Sequence, residues 1–252
     1  MLSIIPLNGT WDFVADLDPK YHARHDGFHR PDADRRHWLK VSVPGVWQKY
    51  AERYDIFEGV CWFCRDFDLP PGAESATTRL RFGAVNYLCR VFVNGEEVGG
   101  HEGGYTEFVV AVSGKLKPGR NHLAVQVDNR ATSTQWPPCL GYFNYGGIHR
   151  DVTLEVMDDA WLDDVVVHTE LARIGGRLTV SGHVSDESYG AAPLRVRMLV
   201  AGVMTTTMID CNGAFSCHCS VPEAFPWSPD DPNLYEIAIV LERDGECLDT
   251  RE

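Results

Sequence analysis

The sequence has no long uninterrupted run of apolar residues. A helix that crosses a bilayer needs about 20 consecutive apolar residues, and no stretch of the 252-residue chain approaches that length. Residues 1–6 also lack the basic region that opens a signal peptide and are too few to form one. We therefore expect no contact with a membrane, and an intracellular, cytoplasmic location.

An excess of positive charge is also missing. Lys and Arg number 23 against 36 Asp and Glu, which gives a formal net charge of −13. Nucleic-acid binding needs basic side chains that neutralise phosphates, and anionic membranes attract basic segments. The charge balance thus argues against both partners and is typical of a soluble globular surface.

Complete metal-ligand motifs are absent as well. Cys61 and Cys64 form a single C-x-x-C in a strand-like run, where residues three apart point to opposite faces, and no second pair completes a tetrahedral site. His101-Glu102 is not followed by the second His of a zinc protease. The eight cysteines are expected to be buried free thiols, and we expect no metal and no cofactor.

Short alternating segments separated by turn residues fill the chain instead, and no amphipathic helix of normal length occurs. In residues 90–98, Asn94 and Gly95 lie between two alternating runs, which favours a type I′ hairpin because both central residues need positive φ. Residues 47–57 have room for one or two helical turns. Residues 16–37 are charged and without periodicity, and are predicted to form a solvated surface loop. The fold class is predicted to be all-β.

A polar boundary divides this pattern. Asp158-Asp159-Ala160 predicts one domain over residues 1–158 and another over residues 159–252, and we expect the second to be cut within its last strand. Regular short strands with turns between them indicate a sandwich. The strands predicted in this half cover residues 162–169, 177–184, 194–200, 214–221, 235–241 and 246–250.

Residues 138–156 join two kinds of backbone. Residues 140–147 mix aromatics with glycines, which suits a loop that turns sharply. Residues 152–156 alternate between apolar and polar side chains, as in a half-buried strand. Arg150 and Asp151 at the junction are expected to pin the loop to the strand by a charge-assisted bond.

These residues carry a family resemblance. Phe143-Asn144-Tyr145-Gly146-Gly147-Ile148-His149-Arg150-Asp151-Val152 resembles the segment that closes the N-terminal sugar-binding domain of family 2 glycoside hydrolases, a family of β-galactosidases, β-glucuronidases and β-mannosidases. Further matches occur in the family's order at Gly59-Val60-Cys61-Trp62-Phe63, Val93-Asn94-Gly95-Glu96, Gly100-His101-Glu102-Gly103-Gly104-Tyr105-Thr106, and Asn121-His122-Leu123-Ala124-Val125 leading to Val127-Asp128-Asn129-Arg130. The resemblance implies a jelly-roll sandwich followed by an immunoglobulin-like sandwich.

The resemblance also implies what the chain does not contain. Family 2 enzymes hydrolyse β-glycosides by double displacement between two carboxylates, which the family carries on a third, (β/α)₈ barrel domain, with the acid/base Glu directly after an Asn. This chain has no Asn-Glu pair and too few residues for a barrel. Glu102, Glu107, Asp128 and Asp151 are the carboxylates available here, and the sequence gives no reason for any two of them to meet.

The chain therefore resembles the non-catalytic N-terminal region of a longer β-galactosidase or β-glucuronidase, inactive by itself. Two alternatives are a free-standing carbohydrate-binding module and a structural pair of sandwiches without a sugar site. The Tyr-Gly-Gly-Ile-His-Arg signature favours the glucuronidase-like branch, although galactosidases share much of it. The preferred sugar stays open.

The resemblance assigns candidate sugar-binding residues in only one loop of this chain. In the family, a jelly-roll loop reaches over the barrel mouth; the matching residues here are Asp128, Asn129, Arg130 and Trp136. Amide and guanidinium groups suit sugar hydroxyls or a uronate carboxylate, and an indole can stack on a pyranose. The alternative is that residues 128–130 merely cap the end of a strand and that the Trp136 indole packs against the barrel, without contact to a sugar. Galactosidases tend to carry a substrate-contacting Asp in this loop, which residues 131–138 lack.

The missing barrel has a further consequence for the surface. Rings that it would cover should be exposed in this chain, and such an apolar face could support a homo-oligomer. The rings expected there are Trp136, Tyr142, Phe143 and Tyr145.

Overall fold

A computed structural model of the chain describes residues 3–16, 27–130, 144–157, 159–186 and 192–251. The chain forms two compact units, one of Ile4–Val156 and a second that contains Met157–Glu252. Both are built from β-strands, which confirms the predicted all-β class of two sandwiches. Over the described ranges, no helix is long and apolar enough to cross a membrane.

Two large sheets enclose the core of the first unit. Its strands are β1 (Ser3–Pro6), β2 (Gly9–Asp16), β3 (Leu39–Val43), β4 (Val60–Leu69), β5 (Thr77–Phe82), β6 (Val85–Asn86), β7 (Leu88–Val93), β8 (Glu96–Glu102), β9 (Phe108–Ala111), β10 (Gly119–Asp128), β11 (Gly147–Ile148) and β12 (Val152–Met157). Strands β1-β12-β5-β9 form one sheet, strands β3-β2-β4-β10-β7-β8 form the other, and β6 pairs with β11. The alternation of side chains determines which face of a strand is buried: in β5, Thr78, Leu80 and Phe82 are buried and the residues between them are not.

The second unit has its own pair of sheets and its own core. Its strands are β13 (Ala160–Leu171), β14 (Gly176–Asp186), β15 (Leu194–Val200), β16 (Val203–Met208), β17 (Ala214–Val221), β18 (Ile237–Arg243) and β19 (Glu246–Arg251). Strands β13-β14-β17 form one sheet and β16-β15-β18-β19 form the other. Val180, Val196 and Met198 are fully buried in the core between them.

Local predictions in the first unit hold at the hairpin and at the helical turns. Asn94 and Gly95 have φ of 52° and 91°, between the paired strands β7 and β8. Two 3₁₀ turns, Trp47–Lys49 and Glu52–Tyr54, occupy the aromatic segment. Asn86–Tyr87 is a cis peptide bond.

The surface loop before β3 is better packed than its charge predicted. Residues 27–38 lie on the outer face of the six-stranded sheet, where Phe28 and Trp38 pack against the buried Trp62 and Cys64. The Phe28 and Trp38 rings are 5.0 Å apart and edge to face. This part of the loop therefore covers a small second apolar cluster.

Arg150 and Asp151, which were predicted to pin the loop to the strand by a charge-assisted bond, each bind a different part of the chain. Asp151 Oδ1 accepts a hydrogen bond from Asn8 Nδ2 at 2.9 Å, and Arg150 Nη1 donates to the Tyr105 carbonyl oxygen at 3.3 Å. Neighbouring residues at a strand entrance point to different sides, so each finds a different partner.

Candidate functional site

Asn129 follows the last residue of β10 and continues the pairing of β10 with β4 through both its backbone and its side chain. Its backbone N–H donates to the Gly59 carbonyl oxygen at 3.3 Å, and its Oδ1 accepts from the Gly59 N–H at 2.9 Å. The residue is 0% exposed. The amide thus fixes the point at which the chain leaves β10.

A cluster of asparagines then fastens the segment before β11 to this point. Asn129 Nδ2 donates to the Asn144 carbonyl oxygen at 2.6 Å, and Asn144 Nδ2 donates back to the Asn129 carbonyl oxygen. Asn86 Nδ2 donates to Asn144 Oδ1 at 3.0 Å and to the Tyr145 carbonyl oxygen at 2.5 Å. Three parts of the chain that are distant in sequence meet at these amides.

The 3₁₀ turn at Trp47 closes the other side of the same segment. Gln48 Oε1 accepts from the Gly146 N–H at 3.2 Å, and the Trp47 N–H donates to the Gly146 carbonyl oxygen at 3.0 Å. A Cβ at position 146 would lie 2.0 Å from Trp47 Cζ2, and one at Gly147 would lie 2.5 Å from the Gly45 carbonyl oxygen. The paired glycines are therefore needed for this close approach.

Asp128 and Arg130 form an ion pair at the surface beside this network. Arg130 Nε lies 2.9 Å from Asp128 Oδ1 and Nη2 lies 2.5 Å from Oδ2, and the side chains are 48% and 20% exposed. The hydrogen bonds that Arg130 donates to the Asp128 carboxylate raise the pKa of Arg130, so the guanidinium stays cationic. The Arg130 N–H also donates to Asp128 Oδ1 at 2.9 Å, which is the strand-end cap.

The three described members of the predicted site are thus adjacent but chemically distinct. Arg130 presents a half-exposed donor group, Asp128 orients it, and the amide of Asn129 is engaged with backbone. Trp136 lies outside the described residues. Gln48 and Asn86 were missed by the sequence reasoning because nothing local marks an amide that binds a distant loop.

The loop after β11 adds aromatic and imidazole groups. The His149 and Tyr105 rings are 5.9 Å apart, and the buried Nε2 of His149 has no hydrogen-bond partner among the described residues. Burial lowers the pKa of His149 and the nearby Arg150 adds to this, against a raising hydrogen bond at Gly147. The imidazole is therefore neutral near pH 7.

Two other groups considered from the sequence have structural partners. His101 Nε2 lies 3.2 Å from Thr106 Oγ1, and Glu107 pairs with Arg81. Within the described ranges, no group of three or more His, Cys, Asp or Glu side chains could hold a metal ion.

Comparison with known proteins gives two family matches. The model described as "Glycosyl hydrolases family 2, sugar binding domain" matches residues 4–157, and that described as "Glycosyl hydrolases family 2" matches residues 160–252. The chain is 26% identical over 260 residues to a β-galactosidase of Thermoanaerobacter pseudethanolicus, covering 98% of this chain and 34% of that protein. It is 25% identical over 271 residues to a β-glucuronidase of Bacteroides fragilis, covering 98% and 36%.

Solved structures show the same fold. A β-glucuronidase of Bacteroides uniformis superposes with a TM-score of 0.83 at 24% identity, covering 100% of this chain and 32% of that one. A β-glucuronidase of Ruminococcus gnavus gives a TM-score of 0.80 at 23% identity, covering 99% and 43%. The chain therefore spans about a third of the length of the curated relatives above.

Proposed function

Because the chain belongs to glycosyl hydrolase family 2, we propose that it is the non-catalytic N-terminal region of a retaining β-glycosidase and frames the sugar pocket of a downstream catalytic barrel. Its domains in this proposal are residues 1–158 and 159–252. The parent polypeptide hydrolyses O-glycosidic bonds, and this segment alone is inactive. Support comes from relatives that are β-galactosidases and β-glucuronidases and about three times as long.

The observation that carries the proposal is the placement of Arg130. Its guanidinium is half-exposed and held by two bonds to Asp128, directly after a residue whose amide is locked into the backbone network. Because the Asp128 carboxylate and the fixed backbone at Asn129 already restrict the Arg130 side chain, little conformational entropy is lost when the guanidinium binds a sugar. A guanidinium matches a carboxylate with two parallel hydrogen bonds and also donates to hydroxyls.

The substrate class follows from that chemistry. We propose a β-glucuronide or a β-galactoside, with Arg130 contacting the sugar, Asp128 and Asn129 positioning it, and Trp136 on the same loop. The other partners in the proposal are the barrel itself and a second copy of the chain. A cytoplasmic location is supported by the cysteines, because the seven in the described residues are free thiols.

One observation favours a free-standing carbohydrate-binding module as a second candidate. Tyr105 and Tyr145 are 63% and 48% exposed, and exposed rings suit the C–H face of a pyranose. Calorimetric titration of the isolated chain with galactose, glucuronate and mannose separates the two. Millimolar or tighter binding supports the module, and no binding supports the first proposal.

The full reading frame that encodes the chain provides the test. Arg130→Gln should lower kcat/KM by about tenfold or more, as expected when a charge-assisted hydrogen bond to substrate is lost. Arg36→Gln is a matched control, because Arg36 makes the same two bonds to the second residue before it, Asp34. A uronate contact predicts a larger loss on a glucuronide than on a galactoside. Equal kcat/KM in wild type, Arg130→Gln and Arg36→Gln contradicts the proposal.

A further inference from the structure

The sequence contains three Asn-Gly pairs: Asn8-Gly9, Asn94-Gly95 and Asn212-Gly213. Asparagine is among the thermolabile residues, because the nitrogen of the peptide bond that follows it can attack its side-chain carboxamide. A following glycine favours this attack, since it has no Cβ to obstruct the new ring and its backbone is conformationally free. The three pairs are therefore alike in their local chemistry, and the fold around them decides which one reacts.

The carboxamide of Asn94 is held at both of its polar atoms. Its Oδ1 accepts a hydrogen bond from the His122 N–H at 3.1 Å. Its Nδ2 donates to the Lys115 carbonyl oxygen at 3.0 Å and to Asn121 Oδ1 at 2.8 Å. Turning the carboxamide towards the Gly95 nitrogen breaks these bonds, so the fold opposes the attack at this pair.

The carboxamide of Asn8 is held in the same manner. Its Oδ1 accepts a hydrogen bond from the Val152 N–H at 2.9 Å, and its Nδ2 donates to Asp151 Oδ1 at 2.9 Å. The two partners are consecutive residues at the start of β12. Attack by the Gly9 nitrogen therefore also requires that the side chain gives up two hydrogen bonds.

The carboxamide of Asn212 is free by comparison. The residue is exposed and lies in the turn between β16 and β17. Within the described part of the chain only its main-chain groups are hydrogen-bonded: the N–H donates to Asp210 Oδ1 at 2.8 Å, and the carbonyl oxygen accepts from His183 Nε2 at 2.7 Å. The side chain can therefore turn towards the Gly213 nitrogen without losing a hydrogen bond.

One main-chain hydrogen bond opposes the attack at Asn212. The Gly213 N–H donates to the Asp210 carbonyl oxygen at 3.1 Å, and this bond must open before the nitrogen can react. The turn is exposed at Asp210, Cys211 and Asn212, and solvent-exposed backbone bonds in such segments open at low free energy. Opening the turn is therefore enough at this pair, whereas Asn8 and Asn94 must also release their side chains.

We propose that Asn212 is the deamidation site of this chain and that the fold protects Asn8 and Asn94. The Gly213 nitrogen gives up its proton to solvent base and bonds to Asn212 Cγ. The bond from Cγ to Nδ2 then breaks, and ammonia leaves behind a cyclic imide. One water molecule opens the imide at either carbonyl, which gives aspartate or isoaspartate. The net reaction consumes one water and releases one ammonia, without oxidation or reduction.

The modification changes both the charge and the backbone of the turn. Either product adds a carboxylate next to the exposed Asp210, and isoaspartate also adds a methylene group to the main chain. The Val184 N–H of β14 donates to the Gly213 carbonyl oxygen at 2.7 Å, so the change falls where the turn joins β14. None of these residues belongs to the proposed sugar contact, and the two proposals are therefore independent.

Peptide mapping by mass spectrometry measures all three sites in one sample of the 252-residue chain. The folded chain is incubated at mildly alkaline pH, because the attacking nitrogen must lose its proton. We expect Asn212 to convert at least about tenfold faster than Asn8 or Asn94, since each protected carboxamide must break two or more hydrogen bonds. The chain unfolded in urea is the control, and its three sites should convert at similar rates.

A variant assigns the product to its site. On ion exchange the folded wild-type chain should slowly form a more acidic species, which the Asn212→Gln chain should not form at a comparable rate, because glutamine would have to close a larger ring. The proposal is overturned if Asn212 in the folded chain converts no faster than Asn8 and Asn94. It is also overturned if Asn212 keeps the same lead in the unfolded chain, since the fold would then not be the cause.

Discussion

Asn129 and Asn144 exchange hydrogen bonds between their side chains and main chains. Asn129 Nδ2 donates to the Asn144 carbonyl oxygen at 2.6 Å, and Asn144 Nδ2 donates to the Asn129 carbonyl oxygen. The exchange closes the excursion between β10 and β11 at its two ends. The position of Arg130, and with it the proposed sugar contact, depends on this closure.

Asn129→Ala should therefore destabilise the first unit. The substitution leaves the buried Gly59 N–H and the Asn144 carbonyl without their partner, at a cost of roughly 2–3 kcal/mol. Urea unfolding followed by tryptophan fluorescence measures the loss. Asn212→Ala, at an exposed asparagine of the second unit, serves as the control, and equal midpoints for the two variants would show that the amide network is dispensable.

Gly146→Ala should also destabilise the protein, by about 3 kcal/mol, because the added Cβ would meet the fully buried Trp47 ring at 2.0 Å. Gly27→Ala is the matched control, since the nearest atom to its added Cβ is Arg30 Cδ at 3.9 Å. Both are compared by urea unfolding. Stability of Gly146→Ala equal to that of Gly27→Ala would mean that Trp47 does not hold the loop.

Much of the fold followed from the sequence because alternation and turn residues are local signals. The strands at Leu194–Val200 and Ala214–Val221 match their predicted limits. The edge strand Val203–Met208 was missed. Its threonine-rich sequence gives little apolar alternation, and it is set by pairing after the turn at Ala201 and Gly202, whose φ values are 48° and 77°.

The site was only partly predictable, for a different reason. The glycines and aromatics of residues 140–147 predicted a sharp turn, of which only residues 144–147 are among the described residues, and Asp128 to Arg130 could be carried over by resemblance. The partners Gln48 and Asn86 lie 98 and 59 residues from the loop atoms that they bind. No pattern along the chain encodes such a pairing.

A buried acid on the outer face of the four-stranded sheet makes stability depend on pH. Burial tends to raise the pKa of Glu155, but hydrogen bonds from Arg81 and Arg79 outweigh it and hold the pKa below its usual value. A carboxyl whose folded pKa is depressed stabilises the protein above its unfolded pKa and loses that contribution as pH falls.

Glu155→Gln should thus cost roughly 3 kcal/mol at pH 7, as for a buried pair that loses one partner. The difference from wild type should shrink as the pH falls below about 4, because the unfolded chain takes up a proton there before the folded Glu155 does. Urea unfolding at pH 7, 5 and 3.5 measures it, with the exposed Glu74→Gln as control. A difference that stays constant with pH would contradict the assigned direction.

The thiols should react in the order of their burial. Cys61 lies in the main core and Cys64 in the outer cluster, so the two point to opposite faces as predicted. Burial raises the pKa of Cys64 to about 12, with a partly opposing effect of Arg35, and burial also raises the pKa of Cys61. Iodoacetamide labelling read by mass spectrometry should modify the exposed Cys211 well before these two. Equal rates at Cys61 and Cys211 would contradict this.

The central claim is that catalysis requires polypeptide beyond these two sandwiches, and turnover by the purified 252-residue chain tests it most directly. With chromogenic β-glucuronide and β-galactoside, we expect no hydrolysis above the uncatalysed rate, because no pair of carboxylates in this chain is assigned to flank a glycosidic bond. Sustained hydrolysis that co-purifies with the chain and disappears in the Arg130→Gln protein would contradict the account.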